Sequence, residues 1–315
     1  MCECETQTFL TDVAMGLSSP QKRIPSKYLY DEKGSALFEK ICSLDEYYIT
    51  RTELNLLEEC APHVARSMGG HVHIVEFGSG SDVKIRALLK AFQGSVTYVP
   101  IDICQEALEQ SAQSLRADFP HVEVLPVYCD FLKPFSLPSA VAGGQLLGFF
   151  PGSTIGNLGE KESKDLMSRA SHYLGEGGSF LLGIDLKKNQ ETLRRAYDDS
   201  QGVTAAFSLN LLERMNRELS SDFVIENFEH RVRWNEERGA IEIFIVSLCH
   251  QEVSVGEHRF HFQKDEGIHT ETSRKYTMAQ IKNLALQSGW HVQRSWVDDA
   301  SLFSVNYLER SACML

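Results

Sequence analysis

The first chemistry in this sequence lies at the ends of successive apolar runs, where short glycine-bearing or acidic turns recur. Glu76-Phe77-Gly78-Ser79-Gly80-Ser81 follows the run at 72–77, and its glycines allow a tight turn and close backbone approach to a bound molecule. Ile101-Asp102-Ile103 ends the next run, at the place where a carboxylate accepts both hydroxyls of a ribose. Cys129-Asp130-Phe131 ends the run after that; Asp130 can accept from an exocyclic amine and Phe131 can lie against a base. Taken singly, each acid also reads as a helix N-cap or a solvated turn residue, and Gly-x-Gly as a tight strand-to-helix turn. Val83 stands where a dinucleotide fingerprint requires its third glycine, which makes a pyrophosphate-bearing cofactor the weaker choice.

Glycine loop, ribose acid and adenine acid at successive strand ends together form the pattern of S-adenosylmethionine-dependent methyltransferases. Lys84 reads either as a holder of that cofactor's methionine carboxylate or as a solvated helix lysine. The fourth run leads into Phe149-Phe150-Pro151-Gly152-Ser153-Thr154-Ile155-Gly156-Asn157. It lacks the Asn/Asp-Pro-Pro-aromatic segment of enzymes that methylate DNA bases or protein amides, so a different acceptor is expected. Asn157 offers a donor and an acceptor that can grip an amine and a carboxylate, and it reads equally as a turn-forming asparagine.

The elements that position these residues follow from periodicity. Continuous apolar strands are expected at 72–77, 96–101, 122–128, 145–150 and 179–184, with helices near 83–91, 105–118, 160–174 and 189–198. Strands of that kind separated by helices mean a parallel sheet covered on both faces, an α/β doubly wound fold. A helix from Val203 to about Leu219 is followed by alternating runs, such as Ala240 to Leu248 and Arg259 to Phe262, which read as a separate α+β element. A helix from Met278 to Gln287 and strands near 291–297 and 302–309 complete the sheet as an antiparallel edge, giving seven strands. Thr50-x-x-Glu53 reads as a capping box ahead of Leu54. The expected domains are therefore 55–190 with 275–315 for the sheet, and 1–54 with 191–274 for a substrate-binding lid.

Composition narrows the partners. The 315 residues are 43% hydrophobic and 23% charged, which is globular. Lys plus Arg number 31 against 43 Asp plus Glu, so a net charge of −12 disfavours nucleic acid. The eight cysteines form no Cys-x-x-Cys pair, which fits a reducing cytoplasm. Cys2 and Cys4 have the wrong spacing for zinc, and Cys313 is misplaced for a prenylation box. The longest apolar stretch, near Leu146 to Phe150, is far short of a membrane span. Neither His71 with His73 nor His258 with His261 carries a His-Glu-x-x-His motif, so no metal is expected.

Beyond the glycine loop, several segments carry a resemblance. They are Tyr28-Leu29-Tyr30-Asp31-Glu32-Lys33-Gly34-Ser35, Glu46-Tyr47-Tyr48-Ile49-Thr50-Arg51-Thr52-Glu53, Gly152-Ser153-Thr154-Ile155-Gly156-Asn157, Arg195-Ala196-Tyr197-Asp198-Asp199 and Thr270-Glu271-Thr272-Ser273. From about Ile24 to Tyr307 the chain resembles the histidine-specific Nα-methyltransferases of ergothioneine biosynthesis. The resemblance implies a class I S-adenosylmethionine-dependent methyltransferase fold, monomeric, that converts L-histidine to the trimethylated betaine hercynine. It implies that Gly78, Lys84, Asp102, Asp130 and Phe131 hold the cofactor. It assigns Tyr30, Asn157 and Tyr197 to the ammonium and carboxylate end of the amino acid, with Tyr30 and Asn157 orienting the reacting amine and Gly152 in the same loop. Tyr47, Glu271 and Ser273 would surround the imidazole, and Ile243 stands where mycobacterial members place a methionine. A cofactor sensor without catalysis would keep Gly78, Asp102 and Asp130 but would not need the amino-acid grip. Methylation of another aromatic amino acid, or of histidine with a halt before the third methyl, are the other readings.

Overall fold

A computed structural model describes residues 3–141 and 144–310, with side chains from Thr6 onward. Cys2 and Cys313 lie outside the described residues, as does the side chain of Cys4. The chain divides into two compact units, Met1–Tyr48 with Lys188–Arg274, and Ile49–Lys187 with Lys275–Leu315.

In chain order the first unit opens with α1 (Glu3–Leu17) and α2 (Glu32–Cys42). The second begins within α3 (Tyr48–Met68) and continues as β1 (Val72–Phe77), α4 (Val83–Leu89), β2 (Val96–Asp102) and α5 (Gln105–Asp118). Then come β3 (Val122–Val124), β4 (Val127–Tyr128), β5 (Gln145–Phe150), α6 (Glu160–Leu174) and β6 (Ser179–Asp185). The first unit resumes with α7 (Gln190–Tyr197), α8 (Val203–Glu218), β7 (Phe228–Asn235), β8 (Ala240–Ser247), β9 (Gln251–Val255), β10 (His258–Phe262) and β11 (Gly267–Arg274). The second closes with α9 (Met278–Gln287), β12 (Trp290–Val297) and β13 (Phe303–Arg310).

The sheet of the second unit has the order β12-β13-β6-β5-β1-β2-β3, with β4 also paired to β2. Its pairs are parallel from β6 to β4, and β13 and β12 add antiparallel. This is the α/β, doubly wound, mostly parallel sheet that the continuous apolar strands demand. The expected third strand at 122–128 is a correction, because it divides into β3 and β4 and makes eight strands of the expected seven. Pro126 lies between the two pieces and has no N–H to give the ladder. One face of the sheet packs Phe77, Phe150 and Phe180 against Trp290, whose ring stacks on Phe180 at 5.4 Å and whose Nε1–H donates to the Met167 carbonyl at 2.9 Å. Asn306, fully buried in β13, donates to the Leu182 carbonyl of β6 and accepts from Ser295 of β12, which pins β13 in register between them.

The first unit packs helices against a three-stranded antiparallel sheet, β11-β8-β7, beside the β9–β10 hairpin. Phe9 of α1 stacks on Tyr28 at 4.1 Å, and Tyr28 donates to Asp12 at 2.6 Å. Asp31 caps α2 by accepting from Gly34 N at 2.8 Å. The capping box expected at Thr50 is overturned: α3 already begins at Tyr48, so Thr50 and Glu53 are both inside the helix. Glu53 is instead fully buried and turned toward other residues of the second unit.

Candidate active site

In the second unit the polar residues gather at the carboxyl ends of the parallel strands. Gly78 follows β1 with φ +74, a left-handed conformation that favours glycine, and a methyl group there would meet the Phe131 ring at 3.1 Å. Phe131 in turn packs edge-on against Phe150 at 5.8 Å. Three successive N–H groups of the loop are committed inside the protein. Gly78 N and Ser79 N donate to the Ile101 carbonyl at 2.8 and 3.1 Å, and Gly80 N donates to Asp102 Oδ2 at 3.1 Å. A phosphate-cradling loop needs those donors free for its ligand, so this turn suits a nucleoside cofactor without phosphates.

Asp102 accepts from Gly80 N through Oδ2 and from Cys104 N through Oδ1, at 3.1 and 3.0 Å. Each oxygen keeps one lone pair, which fits two vicinal ribose hydroxyls. Asp130, beyond β4, accepts from Leu132 N through Oδ1 at 2.9 Å, and its Oδ2, 3.8 Å from the exposed Lys133 Nζ, is half open to take an amine. The Ser79 hydroxyl is buried without a hydrogen-bond partner among the described residues, an expense that a polar ligand beside the glycine loop would remove. These residues fit S-adenosylmethionine. Below them Glu76 bonds the Tyr98 hydroxyl, and burial raises its carboxyl well above the ordinary carboxylate range.

Lys84 does not stand in solvent. Its Nζ lies 2.8 Å from Glu53, a fully buried carboxylate that also accepts from Gly152 N at 2.8 and 2.9 Å. Gly152 follows β5 with φ +79, and a 3-10 turn, Thr154–Asn157, carries Asn157. Glu53 is the residue that sequence reasoning missed. A glutamate in an amphipathic helix reads as surface, and only the neighbouring Gly183 hints otherwise, since a methyl there would lie 1.9 Å from Glu53 Oε1.

In the first unit Tyr30, Tyr47 and Tyr197 come together around Phe38 and Phe207. Tyr30 meets Phe38 and Phe207 edge-on at 5.5 and 5.4 Å, and Tyr47 meets Tyr197 at 5.9 Å. Tyr197, at the end of α7, shares a hydrogen bond of 2.8 Å with Ser273. Glu271 and Ser273 lie two residues apart on β11 and so share a face. Glu271 pairs in register with Ile243 of β8, after a bulge that leaves Thr270 as the extra residue. Tyr47 is buried, and burial, reinforced by the fields of Tyr197, Cys42, Tyr30 and Glu271, raises its phenol well above 10. It therefore stays protonated and can donate a hydrogen bond but cannot act as a base at neutral pH. The structure thus joins Tyr30, Tyr47, Tyr197, Ile243, Glu271 and Ser273 in one unit, and Gly78, Lys84, Asp102, Asp130, Phe131, Gly152 and Asn157 in the other.

His230 of β7 supports Tyr197 from behind. The Tyr197 carbonyl at 2.8 Å requires Nε2–H, which leaves Nδ1 to accept from the Ser208 hydroxyl at 2.9 Å. Burial holds this imidazole below its ordinary 6.5, so the unfolded chain takes up the proton first as pH falls. The stability from neutral His230 is complete above about pH 6.5 and is lost as pH falls toward the depressed folded value. We expect the melting temperature to fall between pH 7.5 and pH 5, and less steeply in His230→Gln. An unchanged slope in that variant, followed by scanning calorimetry, would show that His230 does not contribute.

Comparison with known proteins agrees with this geometry. Residues 9–310 match the family described as histidine-specific methyltransferase, SAM-dependent. The chain is 35% identical over 304 residues to the histidine N-alpha-methyltransferase of Mycolicibacterium smegmatis, covering 95% of this chain and 94% of that one. It is 36% identical over 300 residues to the protein of the same name from Mycobacterium tuberculosis, covering 94% and 92%. It is 27% identical over 304 residues to ergothioneine biosynthesis protein 1 of Neurospora crassa, covering 93% of this chain and 34% of that one. The chain belongs to the family of S-adenosylmethionine-dependent, histidine-specific methyltransferases.

Proposed function

We propose that this protein transfers methyl groups from S-adenosylmethionine to the α-amino nitrogen of L-histidine, three times in succession, and releases hercynine for ergothioneine biosynthesis. The observation that carries the reading is the placement of Glu271 and Ser273 on one face of β11, opposite Ile243, with Ser273 bonded to Tyr197 and the Tyr30–Tyr47 aromatic group in the same unit. An anionic acceptor and a hydroxyl on one strand face suit the two ring nitrogens of an imidazole, whereas Phe or Leu would leave the carboxylate without a partner. The names of the Mycolicibacterium smegmatis and Neurospora crassa relatives support the substrate and the pathway.

S-adenosylmethionine, when bound, supplies an electrophilic methyl carbon on a sulfonium. The protein's own task is then to orient the nitrogen in line and to exclude water. Asp102 would hold the ribose, Asp130 and Phe131 the adenine, and Lys84 the methionine carboxylate. Tyr30 and Asn157 would orient the amine. Neutral partners suit an amine that sheds a proton before each attack and ends as a quaternary cation with none left. We place this activity in the cytoplasm, since Cys42, Cys60, Cys104, Cys129 and Cys249 are free thiols, as a reducing compartment keeps them. No helix among the described residues is long and apolar enough to cross a membrane.

The test is mass spectrometry of a reaction containing purified protein, S-adenosylmethionine and an equimolar mixture of the amino acids. Trimethylated histidine as the sole product is the expected outcome. Methylation of another amino acid would overturn the imidazole assignment, accumulation of mono- or dimethylhistidine would overturn the third transfer, and no product would favour a sensor.

A further inference from the structure

We infer that Glu53 is a positioning residue whose single carboxylate sets both the Lys84 ammonium and the Gly152–Asn157 loop. The inference rests on the reading above, in which Lys84 faces the cofactor and Asn157 the amine. Glu53 has no exposure at all, yet it sits in the second turn of a helix whose sequence gives no reason to bury a charge. Its Oε2 is 2.8 Å from Lys84 Nζ, in the first turn of the helix that follows the glycine loop. Both of its oxygens take the Gly152 N–H, at 2.8 and 2.9 Å.

That N–H belongs to the same peptide group as the Pro151 carbonyl, which accepts from the Thr154 hydroxyl at 2.9 Å. The peptide plane is therefore held from both sides, by Glu53 on the N–H and by Thr154 on the C=O. The next residue, Ser153, has the left-handed φ of 56 and accepts from Asp185 N at 3.0 Å through its hydroxyl. With these bonds in place the turn that carries Asn157 has its direction fixed. Two glycines leave room for the arrangement. A methyl group on Gly183 of β6 would come within 1.9 Å of Glu53 Oε1, and one on Gly152 within 2.9 Å of Lys84 Nζ. The carboxylate thus ties the loop after β5 to the start of α4, in the space that Gly183 of β6 leaves. Lys84, anchored by one ion pair, can turn its remaining donors to an anionic ligand.

The experiment measures S-adenosylhomocysteine affinity by calorimetry, with histidine methylation kinetics alongside, in wild type, Glu53→Gln, Lys84→Met and the double variant. Glutamine keeps one oxygen for the Gly152 N–H but turns the other, which also takes that N–H, into a donor, and it presents no charge to Lys84. We expect Glu53→Gln to weaken S-adenosylhomocysteine binding about tenfold. It should also lower kcat by about 30-fold or more, with the KM for histidine changed less than about threefold. On the Lys84→Met background Glu53→Gln should alter the affinity less than about twofold, because the two act as one unit. Wild-type affinity in Glu53→Gln, or additive losses in the double variant, would overturn the assignment. If Glu53→Gln does not fold, Gly183→Ala decides: it keeps the charge but displaces the carboxylate, and the same paired loss of affinity and kcat is expected, whereas wild-type values would overturn it. The affinity is read without an acceptor, so failure of histidine as the substrate leaves that result standing.

Discussion

Replacing Glu271 by alanine raises the KM for L-histidine by about 10- to 100-fold and leaves that for S-adenosylmethionine within about threefold. The magnitude follows from a hydrogen bond to a charged group, worth about 1.5–3 kcal/mol, at about 1.4 kcal/mol for each factor of ten. The geometry specifies which substrate suffers. Glu271 and Ile243 are cross-strand partners, and the extra residue Thr270 sits in the bulge just before Glu271, bonded through its hydroxyl to the Ile243 carbonyl. Such a bulge re-aims the side chains that follow it, here Glu271 and Ser273. Glu271→Gln retains an acceptor oxygen and should recover most of the affinity for neutral imidazole. Steady-state kinetics with each substrate varied in turn provide the check. Equal losses for the two substrates would remove Glu271 from the imidazole.

Replacing Asp102 by alanine weakens S-adenosylhomocysteine binding by about 100-fold or more, since two charge-assisted hydrogen bonds to the ribose would be lost at about 1.5–3 kcal/mol each. A second effect acts in the same direction. Asp102 is the acceptor for Gly80 N and Cys104 N, so its removal also takes the acceptor from one N–H of the glycine loop and from the turn after β2. Asp102→Asn separates the contributions, because the amide keeps one acceptor and turns the other into a donor. Calorimetric titration gives the comparison directly, and a loss smaller than about threefold in the alanine variant would place the ribose elsewhere.

The parts of the fold legible in the sequence are those set by local pattern. Val72–Phe77 and Ser179–Asp185 are buried throughout and mostly apolar because both faces of a parallel sheet are covered, and such runs read as strands without any tertiary knowledge. The break at Pro126 was legible in principle, as a missing donor within an apolar run, but the run conceals it. Thr50 misled because a hydroxyl three residues before a glutamate has the same spacing at a helix start and inside one, and the decision fell to Tyr48 two residues earlier. Candidate residues fared according to how they are held. Glu271 and Ser273 share a face by the two-residue period of a strand, so their association needs only the strand. Their approach to Tyr197 and Tyr47 depends on α7 and on the segment before α3 being folded together, which no spacing encodes. Glu53 was the least legible, since its partners Lys84, Gly152 and Gly183 are at least thirty residues away along the chain and meet it only through the sheet.

The place of β13 has a consequence for how the protein is made. β6 is synthesised at residues 179–185, but its neighbour on one side, β13, emerges only at 303–310, after the whole 188–274 segment of the other unit. A parallel half-sheet formed in that interval would leave β6, a strand buried along its whole length in the finished fold, with an open row of amides and carbonyls. Such an edge is a template for the wrong strand of another nascent chain. The polar centre of β13, with Asn306 and Ser304 bonded to the Leu182 and Ile184 carbonyls, gives the correct late arrival side-chain bonds that an apolar strand lacks. Chains interrupted before residue 303 therefore lose the strand that seals β6 and should accumulate as aggregates, whereas changes in β12 that keep Ser295 leave that seam closed.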